Sequence, residues 1–369
     1  MHIPFCKQAC TYCNFHFTTS LRLKEDLVKA LITEINLEKN FFNGQQIDTV
    51  YFGGGTPSLL SHQEISSIMD ALHNNFTIHK NAETTLEANP DDIDPVKLKD
   101  WQSAGINRLS IGIQSFFEEE LIWMNRAHNA LQARQCIEWS MEQGINNISI
   151  DLIYGSPLLS DDMWQKNVET AIHYNIPHLS CYALTVEEKT PLYKAIAGHH
   201  TQNVENEKQA RQFLMLMNWL KENGYEHYEV SNFAKPGMRS RHNSSYWKGF
   251  PYLGIGPSAH SFTGEERKWN VSNNSVYIKG INNSNPERGS EILNTKDRIN
   301  EKIMISLRTM EGLDLNDFEK QFGVEERNRV EQGMKKYIDL NMLKVENSKA
   351  FLTDEGMLAA DGIAGSLFS

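Results

Sequence analysis

The sequence predicts an α/β protein: a full or partial TIM-like (β/α) barrel followed by a smaller α+β domain of winged-helix order. Two observations predict it. From residue 1 to about 185, short β-branched apolar runs alternate with longer stretches of helical period, the pattern of parallel β/α units. Beyond residue 296 the order changes to three helices, two short strands and a last helix. A third observation concerns function: the residues able to carry chemistry fall at the C-terminal ends of the predicted strands, where such barrels build their sites.

The first strand is expected at Ile3–Phe5, followed by a helix over Leu21–Asn40 whose Glu25 and Lys29 pair at i,i+4 on a charged face. Next come a strand at Thr49–Phe52, a helix at His62–His73, and a strand at Thr85–Glu87 that Pro90 brings to an end. Helix Pro95–Ala104, strand Arg108–Ile113, helix Ala130–Gln143, strand Asn147–Leu152, helix Asp161–Ala171 and strand His178–Ala183 complete six units of roughly thirty residues each. A connector over Glu187–Val204 leads to a helix at Glu205–Asn223. Residues 270–295, rich in Asn, Ser and Gly, read as a linker between a barrel with its extension over the mouth (1–269) and a C-terminal domain (296–369). That domain is expected to hold helices at Asp297–Leu307, Leu315–Phe322 and Glu325–Asp339. A wing over Leu343–Thr353, turning at Asn347-Ser348, and a last helix from Asp354 to Ala359 complete it.

Composition excludes several classes. With 40% hydrophobic and 22% charged residues the chain reads as an ordinary globular protein, and no apolar run approaches the ~20 residues of a membrane helix. The N-terminus lacks a basic segment followed by an apolar core, so a cytoplasmic location without a secretory signal is expected. Five cysteines, an odd number, fit a reducing compartment; Cys136 and Cys181 fall in a predicted helix and strand and read as small core residues. A net charge of −11 without a Lys/Arg stripe argues against nucleic acid as a partner. Glu325, Glu326 and Glu331 extend that argument to the winged-helix region, for which a lid or docking role is expected.

Cys6, Cys10 and Cys13 form C-x3-C-x2-C just after the first strand. Thiolates select zinc, copper(I) or iron–sulfur clusters. A cluster is usually held by four thiolates, so three leave one iron open to something other than protein. A zinc site would need a fourth ligand, and His16 lies near enough in sequence to offer one. On spacing alone both readings stand. Gly53-Gly54-Gly55-Thr56, directly after the second strand, either lets the backbone approach a ligand closely or simply turns the chain. Glu87 ends the third strand, Gln114 is delivered at the end of the fourth, and Arg126 supplies a fixed cation before a helix.

C-x3-C-x2-C with Tyr12 before the last cysteine resembles the signature of radical S-adenosylmethionine (SAM) proteins. The preceding His2-Ile3-Pro4-Phe5 is similar to the branch that holds oxygen-independent coproporphyrinogen III oxidase and the HemW-type heme chaperones. The resemblance implies a 4Fe-4S cluster on Cys6, Cys10 and Cys13, with SAM on the open iron. Gly54-Gly55-Thr56 within Gly-Gly-Gly-Thr-Pro, Glu87 in Glu-Ala-Asn-Pro, Gln114, Arg126, Asp151 in Asp-Leu-Ile-Tyr-Gly-Ser-Pro, and Ala183 match the family's SAM contacts, as does Tyr12. By that match Gly54, Gly55 and Thr56 would hold the amino and carboxylate groups, Glu87 the ribose and Arg126 the carboxylate, and Ala183 would lie near adenine. Ser149 replaces an asparagine of the pattern, and a SAM-contacting tyrosine of the family would fall ahead of Met1.

Phe15 occupies the position of a fourth cysteine in the oxidases, and His242-Asn243-Ser244-Ser245-Tyr246-Trp247 resembles the H-N-x-x-Y-W motif of the HemW type. That motif implies heme near His242, Tyr246 and Trp247, with His242 either an axial ligand or hydrogen-bonded where the loop packs over the barrel mouth. The C-terminal element order is similar to the HemN C-terminal domain. The expected function is a heme-binding radical SAM protein that delivers heme to client proteins; the alternative is radical decarboxylation of coproporphyrinogen III propionates. SAM, heme, heme-accepting clients and an electron donor such as flavodoxin or ferredoxin are the implied partners, with peripheral membrane association through clients.

Overall fold

The structure, a computed structural model, describes all 369 residues. Six parallel strands run β1 (His2–Ile3), β2 (Ile47–Gly54), β3 (Ile78–Ala88), β4 (Arg108–Gln114), β5 (Ile148–Tyr154) and β6 (His178–Ala183). They stand in sequence order, and two antiparallel strands, β7 (Glu226–Glu229) and β8 (Asn232–Ala234), extend the β6 edge. β1 and β7 are the two edges of this sheet, so the barrel is partial and open.

Between the strands lie α1 (Lys24–Leu37), α2 (His62–Asn75), α3 (Pro95–Ser103), α4 (Glu118–Trp123), α5 (Ala130–Glu142), α6 (Asp161–His173), α7 (Pro191–Ala197) and α8 (Asn206–Glu222). Their starts are written locally. Ser61 with Glu64 and Asn129 with Gln132 form capping boxes, while Asp94 caps α3 with Pro95 in its first turn. The short α4, which the sequence reading did not contain, carries three glutamates in its first turn.

Period-two alternation gives the strands two unlike faces. Phe52, Leu86, Leu109, Ile111, Ile150, Leu152 and Leu179 are wholly buried in the core. The alternate residues, Thr49, Tyr51 and Gly53, Thr85 and Glu87, Arg108, Ser110 and Gly112, Ser149 and Asp151, then His178 and Ser180, make a polar inner face. Parallel strands buried on both faces are normally apolar throughout; a polar inner face is the mark of an interior that receives something.

The segment 270–295, expected as a linker, is folded. After α9 (Arg241–Trp247), β9 (His260–Phe262) and β10 (Glu266–Asn270), it contains α10 (Asn274–Asn282) and β11 (Arg288–Ile292), the latter paired with β10 over five residues. Its Asn content misled: Asn273 is the N-cap of α10, and Tyr277, Ile278 and Ile281 are buried. Glu34 of α1, wholly buried, latches this extension by accepting from Tyr277 Oη (2.6 Å), Asn270 Nδ2 (2.7 Å), Arg288 Nη2 (2.7 Å) and the Gly256 backbone N–H (2.8 Å).

The C-terminal region comprises α11 (Thr295–Leu307), β12 (Leu313–Asp314), α12 (Leu315–Phe322), α13 (Val324–Asp339), β13 (Leu343–Glu346), β14 (Lys349–Leu352), α14 (Asp354–Met357) and α15 (Ala360–Ser366). Asn347 and Ser348 both sit at positive φ, 51° and 61°, as a two-residue hairpin turn of type I′ requires. The region docks on β7 through Val230 N–H to Arg308 C=O (3.1 Å) and Met310 N–H to Tyr228 C=O (3.1 Å). No helix is long and apolar enough to cross a membrane.

Candidate radical SAM site and aromatic cavity

The cysteine loop is seated by backbone. Gly55 N–H donates to Ile3 C=O (2.9 Å) and Thr56 N–H to Phe5 C=O (2.7 Å), fixing the loop's root against the end of β2. A Cβ on Gly55 would come within 2.7 Å of Phe5 O, and on Gly54, at φ +114°, within 2.0 Å of the His2 ring. The glycines are therefore required by the close approach of two paired chain segments. Their N–H groups are already used: Gly54 N–H donates to Glu87 Oε2 at 3.0 Å.

Cys6, Cys10 and Cys13 are partly buried and free of disulfides. Burial pushes the Cys6 thiol up to about 11, with Cys13 and Cys10 adding to the effect, and raises Cys13 as well. Such thiols give up their protons to a thiophilic metal centre. Arg126 Nη1 donates to Cys10 Sγ (3.2 Å) while Nη2 donates to Asn89 Oδ1 and Gly112 C=O (both 2.7 Å). Arg126 Nε is buried without a partner, an orphaned donor beside the thiols that a ligand carboxylate would satisfy. The zinc alternative finds no support: His16 Nε2 is held by Asn274 Oδ1 at 2.8 Å. No three His, Cys, Asp or Glu side chains converge as around a single ion, whereas a cubane spreads its cysteines over three irons. The donor set fits a cluster.

Behind the loop, Glu87 accepts from Tyr51 Oη (2.8 Å) as well as from Gly54, and burial raises its carboxyl above the usual range. Burial, then the charge of Glu87, raises Asp151 to about 7. Gln114, 8% exposed, takes φ 64° where the register of β4 against β5 shifts, the kind of local strain that clusters at functional sites. Thr56 Oγ1 accepts from Asn89 Nδ2 (3.2 Å). Tyr12 packs against Met124, Ile153, Leu184 and Leu192, and Ala183 ends β6 beside Tyr154. The structure thus gathers Tyr12, Gly54, Gly55, Thr56, Glu87, Gln114, Arg126, Asp151 and Ala183 with the three cysteines around the C-terminal ends of the strands.

The other predicted cluster lies elsewhere. His242 Nδ1 is hydrogen-bonded to Thr49 Oγ1 (2.8 Å), and the backbone N–H groups of Arg241 and His242 donate to Glu83 (3.1 and 2.9 Å). Thr49 lies near the start of β2, so α9 sits at the end of that strand opposite the cysteine loop. The extension reaches both ends of the barrel: α9 sits at the foot, while Ile255 C=O accepts from His2 N–H (2.8 Å) beside Gly53 at the end of β2. His242 stacks on Tyr51 (4.7 Å between ring centroids, 18°) and reaches Tyr246 Oη through Nε2 (3.1 Å); burial lowers it to about 3, so the ring is neutral.

Tyr51, His242 and Tyr246, with Phe250, Tyr252 and His260, wall a cavity of about 490 Å³ that rises along β2 to Gly54 and Glu87. Trp247 is not in that wall: its ring lies under the Arg308 guanidinium, 5.7 Å away, and ties α9 to the C-terminal region. Sequence reasoning missed Tyr51, Glu83, Asn89 and Tyr252 as members of these sites. The alternation along β2 and β3 was the signal that places Tyr51 and Glu83 on the inner face.

Residues 1–171 match the family model of the Radical SAM superfamily and residues 293–359 that of the HemN C-terminal domain, so the open barrel and its three-thiol loop are those of a radical SAM protein. The fold is that of coproporphyrinogen III oxidase (HemN) from Escherichia coli, a radical SAM enzyme, with a TM-score of 0.86 at 22% identity over 100% of this chain and 89% of that one. The heme chaperone HemW of Bacillus subtilis is 32% identical over 99% of this chain and 97% of its own length. That of Mycobacterium tuberculosis is 31% identical over 100% and 93%. The chain belongs to the HemW heme-chaperone family of radical SAM proteins.

Proposed function

We propose that this protein binds heme in the aromatic cavity at the foot of the barrel and passes it to heme-accepting clients, while the mouth holds a 4Fe-4S cluster and SAM. The observation that carries this reading is the cavity itself, walled by three residues of the H-N-x-x-Y-W segment, His242, Ser245 and Tyr246, in a chain similar over its full length to heme chaperones. Histidine, with a neutral ring at physiological pH, and tyrosine are both heme-iron ligands, and Tyr51, Tyr246 and Tyr252 offer flat faces to a porphyrin.

At the mouth, Cys6, Cys10 and Cys13 would hold the cluster, which with SAM bound supplies one-electron reduction of a sulfonium. Arg126 would orient the SAM carboxylate with its free Nε, its Nη atoms already anchored to Cys10, Asn89 and Gly112. Glu87 would accept the ribose hydroxyls, and Asp151, once ionised, would offset the charge of the cation. Reducing electrons would come from a flavodoxin- or ferredoxin-type donor in the cytoplasm, and any membrane association would be peripheral, through clients.

Titration of the anaerobically reconstituted protein with heme tests the proposal. Stoichiometric capture is expected, weakened about tenfold or more in His242→Ala and Tyr246→Ala if either ligates or stacks. Turnover of coproporphyrinogen III to decarboxylated product, with no stable heme complex, would instead establish the oxidase alternative.

A further inference from the structure

One cation on the inner face is not used by either site. Arg108, the first residue of β4, is 2% exposed and stands in register with Thr85, which in turn pairs with Tyr51. Arg108 Nε is buried without a hydrogen-bond partner, and so is Oγ1 of the fully buried Thr85 beside it. No acid that shares this interior forms an ion pair with Arg108. Glu83 accepts from the backbone of Arg241 and His242, Glu87 from Tyr51 and Gly54, and Glu229 from Asn232 and Ser231. Burial also raises the proton affinity of Glu87, Asp151 and Glu229, which weakens them as counter-charges. The histidine nearby is no acceptor either, because His178 spends its ring nitrogens on Ser149 Oγ and Tyr228 Oη, both at 2.7 Å.

Ordered water can satisfy an orphaned donor, but it does not neutralise a buried charge, and an unpaired buried ion is among the costliest features a fold can carry. A guanidinium in that position is complementary to a planar two-oxygen anion. We propose that Arg108 and Thr85 form an internal carboxylate site, the guanidinium pairing both oxygens and the Thr85 hydroxyl donating a third hydrogen bond.

Tyr51, in the wall of the aromatic cavity, stands two strands from Arg108 on the same face, in register with Thr85 between them. A flat ligand against that wall with a carboxylate on its edge would direct the carboxylate inward to this site. Resting on the heme reading, the structure assigns that carboxylate to one propionate of heme.

The test compares heme with heme dimethyl ester on the full-length reconstituted protein and on Arg108→Met, together with the melting temperature of each ligand-free protein. The parent is expected to prefer the free acid by about tenfold or more, and Arg108→Met to bind both alike. Ligand-free Arg108→Met is expected to melt at or above the parent, because an unpaired buried charge has been removed. An undiminished preference in Arg108→Met, or a variant that melts several degrees below the parent or fails to fold, overturns the assignment. If the parent binds neither porphyrin, the heme reading falls and acetate becomes the probe: thermal protection of the parent that Arg108→Met lacks upholds the carboxylate site, and equal protection overturns it.

Discussion

Asp151 shows how one buried side chain can link ligand binding to pH. Its carboxyl is raised from 3.8 to about 7 by burial and by Glu87, so the folded, ligand-free protein holds a proton that the unfolded chain releases near pH 4. The sign follows from linkage: the folded state binds more protons between those values, so stability is lost as pH rises from about 4 through 7. At ~1.4 kcal/mol per unit the penalty above pH 7 is on the order of 4 kcal/mol. Asp151→Asn is expected to flatten the dependence of melting temperature on pH in this window, and a variant with an unchanged slope would count against Asp151 as its source. Because a sulfonium cation favours the ionised carboxylate, SAM affinity measured by calorimetry is expected to rise between pH 6 and 8 in the parent and not in Asp151→Asn.

Among the elements, the parallel pairing of β1 along the end of β2 does the most with the fewest atoms. Gly55→Ala would put a methyl group within 3 Å of Phe5 N, Phe5 O and Ile3 O, backbone atoms that cannot turn aside. The expected cost is ~1–3 kcal/mol, with iron content per chain falling after reconstitution because the cysteine loop loses its seat. Iron content equal to the parent's would show that the loop is held by something else. The latch at Glu34 holds Gly256, next to Ile255 in the cavity wall. Glu34→Gln removes the charge facing Arg288 and keeps most of the shape. It is expected to destabilise by ~3 kcal/mol and to speed hydrogen exchange in α10 and β11 before the barrel strands, which exchange measurements can resolve.

At the scale of the molecule, mouth and foot are two sites on one sheet, and the cavity that begins at His242 ends at Gly54 and Glu87 of the mouth. Replacing Cys6, Cys10 and Cys13 together by alanine is expected to abolish iron–sulfur absorbance while heme is still captured, because none of the three cysteines lines the cavity, although Tyr51 joins the two sites through His242 and Glu87. Parallel loss of both would place heme at the cluster end and unseat the two-site reading.

The six β/α units were legible in the chain because period-two and helical patterns are local: β6 and α12 run over the residues that patterning assigns, and α2, α3 and α5 begin where Ser61, Asp94 and Asn129 cap them. The thiol spacing, the strand-end residues and the His242 segment were legible for the same reason, as short patterns of residue type. The linker was misread because the asparagines that suggested a loop cap a helix whose burial depends on Glu34, far away in the chain. Where α9 sits, which way Trp247 faces and how Arg108 comes to be buried without an anion were settled only when the sheet curved and the extension docked. Sequence alone determined which chemical groups this protein owns and on which strands they ride, because spacing is a property of neighbours. The tertiary structure decided which of them meet, because the distance between mouth and foot, and the isolation of a charge between them, depend on contacts among segments that are remote along the chain.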